Sequence, residues 1–491
     1  MSFTLAIDQS TSATKVLLFD HNVRVADSEA LPHEQHYPQP GWVEHDADEI
    51  WRNTCAVVRT LVDRHRSRVR DLAHVCLTNQ RETIVIFDRE TGTPLAPAIV
   101  WQCRRSDAVC EELRGAGHAD IIRDRTGLRL DSYFSGPKLL WLSRERTEIA
   151  ARLRNGTALI GTMDAYLLYR LTGGKVFATD STNASRTLLM DISRRVWDPA
   201  LCELFRVPIA ALPEIRDSFA TYGETTCAGA LPSLVPIVGV MGDSQASLFA
   251  QQCFASGQAK ATLGTGTSLL VNLGGAYRAP TQGAVVALAW SHDGQPTYAA
   301  EGIISYSAAT LSWLRDQLGL LHKDDNIEAL GASVPDSGGV HLIPAFAGLS
   351  APHWRPDARG AIVGLSAHTR KAHVVRAALE SIAFQISDAL QMIAAEYGVT
   401  PQVLRVDGGP TQNGLLMQLL ADLTGVPLEI GASPESSALG VAMAARIGSG
   451  EATMESLAAA PRDRRRIEPQ ISAAERERRR IDWQTALQRV M

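Results

Sequence analysis

Two kinds of apolar pattern alternate along the chain. Short apolar runs bounded by glycine, serine and aspartate predict strands, and longer stretches with apolar residues every three or four positions predict amphipathic helices. One helical stripe consists of Val375, Leu379, Ile382, Ile386, Leu390 and Ile393, and the next of Leu415, Leu416, Leu419, Leu420 and Leu423. Both have the spacing of a core-facing helix side. Strands that alternate with helices predict an α/β fold.

One strand–turn–strand pattern occurs twice, about half a chain apart. Near the amino terminus two apolar runs enclose the turn 8–12 (DQSTS), and near residue 260 two apolar runs enclose the turn 264–268 (GTGTS). Each pattern predicts a β-hairpin. Two similar hairpins predict two similar lobes, an N-terminal one at residues 1–250 and a C-terminal one at 251–491. Chance likeness between two ordinary hairpins is the alternative.

Composition and charge narrow the classes of function. The 491 residues are 45 % hydrophobic and 21 % charged, which provides material for packed cores and excludes global disorder. The net charge of −5 argues against nucleic acid as the main partner. The charged runs 462–466 and 475–480 contain both signs, and they predict solvated helix faces.

The cysteines and the first residues bear on the compartment. Seven cysteines occur without a C-x-x-C pair, which predicts free thiols in a reducing environment. The chain starts MSFTLAID, with no basic segment before a short apolar run, so a signal peptide is not expected. No stretch approaches the ~18 apolar residues of a membrane span. These features predict a cytoplasmic protein.

Three turns have the composition of phosphate-binding loops. Turns of Gly, Ser and Thr expose backbone N–H groups whose dipoles converge on an anion. The turns 10–14 and 264–267 fit this description, and Gly408 and Gly409 stand between a strand-like run and a helix expected to begin near Asn413. Steric need alone would explain any one of them, but the three together predict a nucleotide site.

Two common nucleotide motifs are missing from the sequence. Gly264-Thr265-Gly266 is not followed by the third glycine of the dinucleotide fingerprint, and no G-x-x-x-x-G-K-[ST] segment occurs. A dehydrogenase and a P-loop enzyme are therefore both disfavoured.

Two aspartates follow strand-like runs. Asp243 comes after the apolar run 235–240, where Ser244 is predicted to cap the next helix, and Asp8 ends the first apolar run. Open α/β sheets bind ligands at the carboxyl ends of their strands. An ionised aspartate there suits the acceptance of a hydroxyl proton or the binding of a hydrated metal ion. A plain turn or capping role is the alternative for each.

Two further polar clusters invite a functional interpretation. The adjacent Arg81 and Glu82 offer donors and an acceptor together, which suits a polyhydroxyl ligand, although an ordinary surface ion pair is equally compatible with the sequence. His33 and His36 have the look of a metal-ligand pair. Because their proline-rich loop offers no convincing third ligand, we do not expect a metal site there.

The motifs taken together resemble those of the FGGY carbohydrate kinases over nearly the whole chain. The segments that carry the likeness are LAIDQSTSATK, PGWVEHDADEIW, TNQRETIVIFDRETG, AIVWQCRR, DSYFSGPKLLWL, TDSTNASRT, GDSQASLFAQ, LGTGTS, PAFAGLSAPHWRPDARGAIVGL and LRVDGGPTQNGLLMQLLADL. Residues 133–141 and 360–380 correspond to two signatures of the family. Within the family the likeness is greatest to members that phosphorylate glycerol.

The resemblance implies a fold, a reaction and an assembly. The fold would be α/β, with two ribonuclease-H/actin/hexokinase-like lobes and a cleft that holds ATP and substrate and closes on binding. The reaction would be in-line transfer of the γ-phosphoryl group of ATP to a terminal hydroxyl of glycerol, with Mg²⁺. Association into dimers or tetramers is common in the family.

The resemblance also implies roles for individual residues. Asp243 matches the catalytic base and Asp8 a carboxylate near the metal ion and phosphates, so both are candidate catalytic and metal-binding residues. The positions that match the polyol site are Arg81, Glu82, Trp101, Tyr133, Asp243, Ser244 and Ser268. The positions that match the nucleotide site are Thr11, Ser12, Gly264, Thr265, Gly266, Gly408, Gly409 and Asn413.

Departures from the family pattern cluster around the substrate positions. Ser244 stands where glycerol-specific members usually have Gln, and Ser268 where they usually have Phe; the other departures are Ser10, Ala308, Ser350 and His353. Shorter side chains predict a wider, more polar pocket. A kinase of a four- or five-carbon polyol or ketose is therefore the alternative to a kinase of glycerol, and a non-catalytic nucleotide-binding regulator is a third possibility.

Overall fold

The computed structural model describes residues 2–281, 283–346, 348–355, 357–431 and 435–491. The strands before residue 250 are β1 (Phe3–Gln9), β2 (Ala13–Phe19), β3 (Val25–Pro32), β4 (Glu44–His45), β5 (Leu72–Asn79), β6 (Ile84–Asp88), β7 (Ala98–Ile99), β8 (Ala158–Thr162), β9 (Ala178–Asp180), β10 (Met190–Asp191), β11 (Val196–Trp197), β12 (Glu214–Arg216), β13 (Thr221–Thr225) and β14 (Val235–Gly242). The helices there are α1 (Ala47–Arg64), α2 (Asp107–Gly115), α3 (Ala119–Thr126), α4 (Ser135–Glu145), α5 (Thr147–Arg154), α6 (Met163–Leu171), α7 (Ser181–Ala184), α8 (Pro199–Leu204) and α9 (Asp243–Ala250).

The second half of the chain alternates strands and helices in the same way. Its strands are β15 (Ala259–Leu263), β16 (Thr267–Gly274), β17 (Val285–His292), β18 (Gln295–Ile304), β19 (His341–Ile343), β20 (Ala361–Val363), β21 (Leu404–Asp407), β22 (Leu428–Gly431) and β23 (Arg464–Ile467). Its helices are α10 (Ala309–Asp316), α11 (Ile327–Ala332), α12 (Lys371–Tyr397), α13 (Gly414–Thr424), α14 (Ser436–Gly448), α15 (Met454–Ala459) and α16 (Ala473–Leu487).

The two large sheets share a six-strand order, and the second has β17 as an additional edge strand. The first has the order β13-β14-β5-β1-β2-β3 and the second the order β17-β18-β16-β15-β21-β22-β23. In the first, β1 and β2 form an antiparallel hairpin, β5 lies parallel to β1, and β14 lies parallel to β5. In the second, β15 and β16 form the hairpin, with β21 and then β22 parallel beside them. Both predicted hairpins are thus confirmed, and they occupy equivalent places.

The parallel strands bring the functional segments together. Asp8 at the end of β1 lies opposite Thr78 of β5, and Gly242 at the end of β14 lies opposite Asn79. Three neighbouring strands therefore end at one edge of the first sheet, where open α/β sheets bind ligands. In the second sheet, Thr262 lies opposite Asp407, so the turns after β15 and β21 are neighbours as well.

The two halves pack closely through helices. The apolar sides of α9 and α14 belong to one buried hydrophobic cluster. The helices touch at Gly440, where an added Cβ would lie 1.8 Å from the Ala246 carbonyl oxygen, so only glycine fits there. The two predicted helical stripes form α12 and α13 and face the core.

Two details of the sequence interpretation were wrong. Ser244 does not cap α9; pairing with β5 extends β14 as far as Gly242, which becomes the cap, and Ser244 lies inside the helix. The run 462–466 is not a helix face, because it contributes β23, an edge strand on β22. There Arg464 and Arg466 lie 3.1 and 3.5 Å from Glu429 of β22, so cross-strand ion pairs favour the strand.

The other charged run, 475–480, lies in α16 as predicted. Among the residues that the structure describes, there is no helix with the length and apolarity to cross a membrane.

Candidate active site

Asp8, Arg81 and Asp243 meet at the edge formed by β1, β5 and β14. Asp243 is the first residue of α9, and its Oδ1 lies 3.2 Å from Nε of Arg81, the second residue after β5. The carboxyl group of Asp8 is half-buried beside them. Burial, and then the like charge of Asp243, raise the pKa of Asp8 to about 7. The three strand ends thus hold two electrostatically coupled carboxyl groups and one guanidinium group.

A cluster of buried charges lies beneath this edge. Arg81 Nη1 is 3.0 Å from Glu301 Oε1, and Arg186 lies between two carboxylates, with Nε 2.6 Å from Glu82 and Nη1 2.6 Å from Glu301. All four side chains are at most 5 % exposed. Glu301 belongs to β18 of the second half, so the cluster joins the two halves of the chain. The adjacent Arg81 and Glu82 are therefore not a surface ion pair.

The partners of each charged group set its titration. Burial alone would raise the pKa of Glu301, but the guanidinium groups of Arg186 and Arg81 hold it at about 2. Burial raises the pKa of Glu82, and the two arginines oppose that effect only in part. The Glu82 backbone adopts φ of 62°, a left-handed conformation that costs a residue other than glycine about 1–3 kcal/mol. Its ion pair with Arg186 and a hydrogen bond from Ser135 to its carbonyl oxygen hold it there.

Two aromatic residues form an apolar wall beside the charges. The rings of Trp101 and Tyr133 are 5.3 Å apart at their centroids, and both are half-buried. Trp101 Nε1 donates a 3.0 Å hydrogen bond to Thr11 Oγ1 in the first turn. The predicted polyol residues and the first phosphate-type turn are therefore in direct contact. Ser12, the next residue of that turn, is exposed.

The two serines that depart from the family pattern have different surroundings. Ser268 lies on β16, and its hydroxyl donates a 3.2 Å hydrogen bond to Glu301 Oε1. Ser268 therefore borders the buried charge cluster. Ser244 is half-buried in the first turn of α9, and its N–H donates to Asp243 Oδ1 at 2.6 Å. That bond fixes the orientation of the Asp243 carboxylate from within its own helix.

Two of the three predicted nucleotide turns, those after β15 and β21, lie against each other. Gly264 donates to the Gly266 carbonyl at 2.8 Å, closing the turn between β15 and β16. Gly408 has φ of 100°, and an added Cβ would lie 1.9 Å from the Leu263 carbonyl oxygen, so the turn after β21 needs glycine. Gly409 begins a 3₁₀ turn, and Asn413 caps α13 by accepting from Leu416 N–H at 2.9 Å. Thr265 accepts from the Ser307 N–H before α10.

The histidines at residues 33–36 are not arranged as a metal site. Across the described ranges, no three His, Cys, Asp or Glu side chains converge as ligands. His33 is buried with its ring 4.6 Å from that of His45. Mg²⁺ needs no such cage, because it is commonly held by one or two carboxylates together with substrate phosphates. Asp8 and Asp243 fit that pattern, since their mutual repulsion is what a cation would relieve.

The sequence pattern did not single out Arg186 and Glu301. A signal was present for both. Glu301 is a lone carboxylate in the otherwise apolar run 298–304 (YAAEGII), and Arg186 ends the polar segment 180–186 (DSTNASR). A lone buried charge needs an ionic partner. The ionic partners of Glu301 lie in the other half of the chain, so they can be identified only from the way the two halves pack.

Comparison with known proteins gives full-length matches. Residues 3–250 match the N-terminal domain, and residues 259–449 the C-terminal domain, of the FGGY family of carbohydrate kinases. The chain is 46 % identical to a glycerol kinase of Aromatoleum aromaticum (100 % of this chain, 99 % of the relative) and 45 % identical to one of Dechloromonas aromatica (99 % and 97 %). The crystal structure of Plasmodium falciparum glycerol kinase with ADP superposes with a TM-score of 0.93 at 34 % identity, covering 100 % of this chain and 98 % of that one.

Proposed function

This chain belongs to the FGGY family of carbohydrate kinases, and we propose that it transfers the γ-phosphoryl group of ATP to a terminal hydroxyl of glycerol. The products are glycerol 3-phosphate and ADP. It is a carbohydrate kinase with the two-lobed, actin-like α/β fold of that family. The main support for glycerol as the substrate is the full-length sequence identity to glycerol kinases. The ion pair between Asp243 and Arg81 supports phosphoryl transfer with Asp243 as the base.

Asp243 acts as the general base. Its carboxylate takes the proton of the attacking hydroxyl as the hydroxyl oxygen bonds to the γ-phosphorus. The bond from that phosphorus to the bridging oxygen breaks, and ADP leaves with the electron pair. Phosphoryl transfer depends on positioning and charge neutralisation, so a carboxylate held by Arg81 Nε and the Ser244 N–H is sufficient.

The substrate and the nucleotide occupy different sets of residues. Arg81 and Glu82 hydrogen-bond the hydroxyl groups of the polyol, and Trp101 and Tyr133 cover its carbon backbone. ATP lies against the turns 10–14 and 264–266, and at Gly408, Gly409 and Asn413. Asp8 and Asp243 would hold Mg²⁺, which would neutralise charge on the phosphates. Closure of the cleft would keep water from competing as the acceptor.

A longer polyol or ketose is the second candidate substrate. Ser268 borders the charge cluster, and its hydroxyl donates a hydrogen bond to Glu301. Ser244 has an equally short side chain. Both are shorter than the Gln and Phe that the resemblance leads one to expect at these positions, which supports a longer acceptor. The same phosphoryl-transfer chemistry would apply, with only the length of the acceptor changed.

An assay of ADP release tests both candidates. Wild type is given glycerol, erythritol, threitol, ribitol, xylitol and xylulose, and we expect the highest kcat/KM with glycerol. If a longer acceptor is preferred, Ser268→Phe should reduce that preference by filling the pocket. Asp243→Asn should lower kcat by about a hundred- to ten-thousandfold while binding of an ATP analogue persists. Turnover retained in Asp243→Asn would contradict the assignment of the base.

We further infer a cytoplasmic enzyme that self-associates. All seven cysteines are free, and all but Cys55 are buried, which supports a reducing compartment. Sedimentation velocity at several protein concentrations measures whether the chain forms the expected dimer or tetramer.

A further inference from the structure

The four-residue helix α7 and its flanks lie across the ends of β5 and β14. Asp180 caps α7, and its buried carboxylate accepts hydrogen bonds of 2.8–2.9 Å from Thr182, Asn183 and Ser218. Burial, and then the nearby Asp164, raise the pKa of Asp180 to about 7. Because three residues donate hydrogen bonds to the Asp180 carboxylate, its orientation is fixed.

Thr182 connects this cap to the catalytic strand. Its hydroxyl donates to Asp180 Oδ1 at 2.9 Å and accepts from the Gly242 N–H at 2.9 Å. Gly242 is the last residue of β14, directly before Asp243. An added Cβ at Gly242 would lie 2.8 Å from Arg81 Cγ, so the backbone there is confined on its other side as well.

Asn183 makes the matching connection to β5. Its side-chain amide pairs with that of Asn79 through reciprocal hydrogen bonds of 2.9 and 3.0 Å, and Asn79 also donates to the Gln80 carbonyl. Asn79 and Gly242 are register partners across β5 and β14. Residues of α7 thus hold both strand ends, Asn79 two residues before Arg81 and Gly242 directly before Asp243.

We propose that Thr182 is a positioning residue for phosphoryl transfer. Its hydroxyl, oriented by Asp180, fixes the Gly242 amide and thereby the distance of the Asp243 carboxylate from the attacking hydroxyl. Thr182 is fully buried and is not one of the predicted polyol or nucleotide residues, so its removal should change turnover more than binding. The proposal rests on the proposed role of Asp243. A displacement of about 1 Å at a reacting group can cost on the order of a hundredfold in rate.

Thr187→Val provides a matched control for Thr182→Val. Thr187 is also buried in this segment, but among the described residues its hydroxyl bonds only to the backbone of Ala184 and Leu189. Both variants replace a buried threonine by an isosteric side chain and remove two hydrogen bonds. A merely structural effect should therefore lower the melting temperature of both and affect kcat of neither.

The experiment measures kcat, both KM values and the melting temperature of four proteins. We expect Thr182→Val to lower kcat ten- to a hundredfold with KM values within threefold, Thr182→Ser to keep at least half of kcat, and Thr187→Val to stay within twofold. If Thr182→Val is unstable, Thr182→Ala at lower temperature replaces it with the same expectation.

Two results would overturn the positioning role. One is a kcat of Thr182→Val within twofold of wild type or equal to that of Thr187→Val, and the other is a Thr182→Ser variant as slow as Thr182→Val. Wild type inactive on every acceptor of the panel would instead contradict the proposed function. The two failures are therefore distinguishable.

Discussion

At the scale of single residues, the site depends on how buried charges balance one another. Arg81 and Arg186 face Glu82 and Glu301, and each charge lies within ion-pair distance of at least one opposite charge. Asp8 differs, because the charged group with the largest effect on its pKa is Asp243, which has the same sign. Opposed carboxyl groups store unfavourable energy in the unliganded protein, and that energy depends on pH.

We predict a pH-dependent stability difference between wild type and Asp8→Asn. In the unfolded chain Asp8 loses its proton near the ordinary aspartate value of 3.8, whereas in the folded protein its pKa is about 7, so wild type loses stability as pH rises between these values. The half-buried carboxyl group suggests a loss on the order of 1 kcal/mol. Urea unfolding at pH 5 and pH 7.5 should show Asp8→Asn gaining by that amount relative to wild type.

Asp88→Asn is the control for this prediction. A hydrogen bond from the Thr91 N–H and the ion pair with Arg152 lower the pKa of Asp88 to about 2, so its contribution to stability changes below pH 4. The difference between Asp88→Asn and wild type should be the same at pH 5 and pH 7.5. A difference for Asp8→Asn that is equally constant would show that Asp8 does not titrate in this range.

At the scale of elements, most of the predicted nucleotide-binding residues lie in turns or at a helix cap. Strand, glycine turn and helix follow one another at β21, Gly408 and α13, as the sequence pattern predicted. The run 462–466 shows where such reasoning fails. Its charges suggested a solvated helix, but pairing with Glu429 on β22 selects an edge strand. Cross-strand partners lie far away in sequence, so local pattern cannot weigh them.

We predict that Asn413→Ala lowers both the stability of the protein and its affinity for ATP, whereas a matched cap variant lowers only the stability. Loss of an asparagine cap costs a helix about 1 kcal/mol. Asn326 caps α11 in the same way, accepting from Ala329 N–H at 3.0 Å, so Asn326→Ala should cost a similar amount of stability. Only Asn413→Ala should also raise KM for ATP, by about tenfold. Equal KM values for the two variants would remove Asn413 from the nucleotide site.

At the scale of the whole molecule, polar contacts across the cleft connect the two halves. Glu301 reaches Arg81 and Arg186, Lys15 lies 2.7 Å from Glu435, and Ser247 donates to Asp407 at 2.9 Å. Asp407 directly precedes the glycine turn at Gly408. Gln251, which ends the helix that begins with Asp243, also donates to Asp407, so this helix contacts the nucleotide turn through two hydrogen bonds. The lobe boundary near residue 250 and the oligomeric state stay predictions.

We predict that Glu301→Gln destabilises the whole molecule. It removes the carboxylate that Arg81 and Arg186 share, which leaves Glu82 as the ionic partner of Arg186, and breaking a buried ion pair costs about 3–5 kcal/mol. Urea unfolding at pH 7.5 should show this loss in the free energy of unfolding. Glu148→Gln removes an exposed partner of Arg146 and should leave that free energy unchanged. A loss for Glu301→Gln no larger than for Glu148→Gln would contradict the structural role of the cluster.

The sequence by itself determined the α/β class, the two hairpins, the long helices and the family, because these depend on short-range periodicity and on ordered motifs. It also placed Asp8, Asp243 and the glycine turns at strand ends, where chain direction alone predicts a ligand site. Only the tertiary structure decided that Arg186 and Glu301 complete the charge cluster and that Thr182 holds Gly242. Those contacts join residues 60 to more than 100 positions apart. Their energies exist only once strands β5, β14 and β18 are packed together.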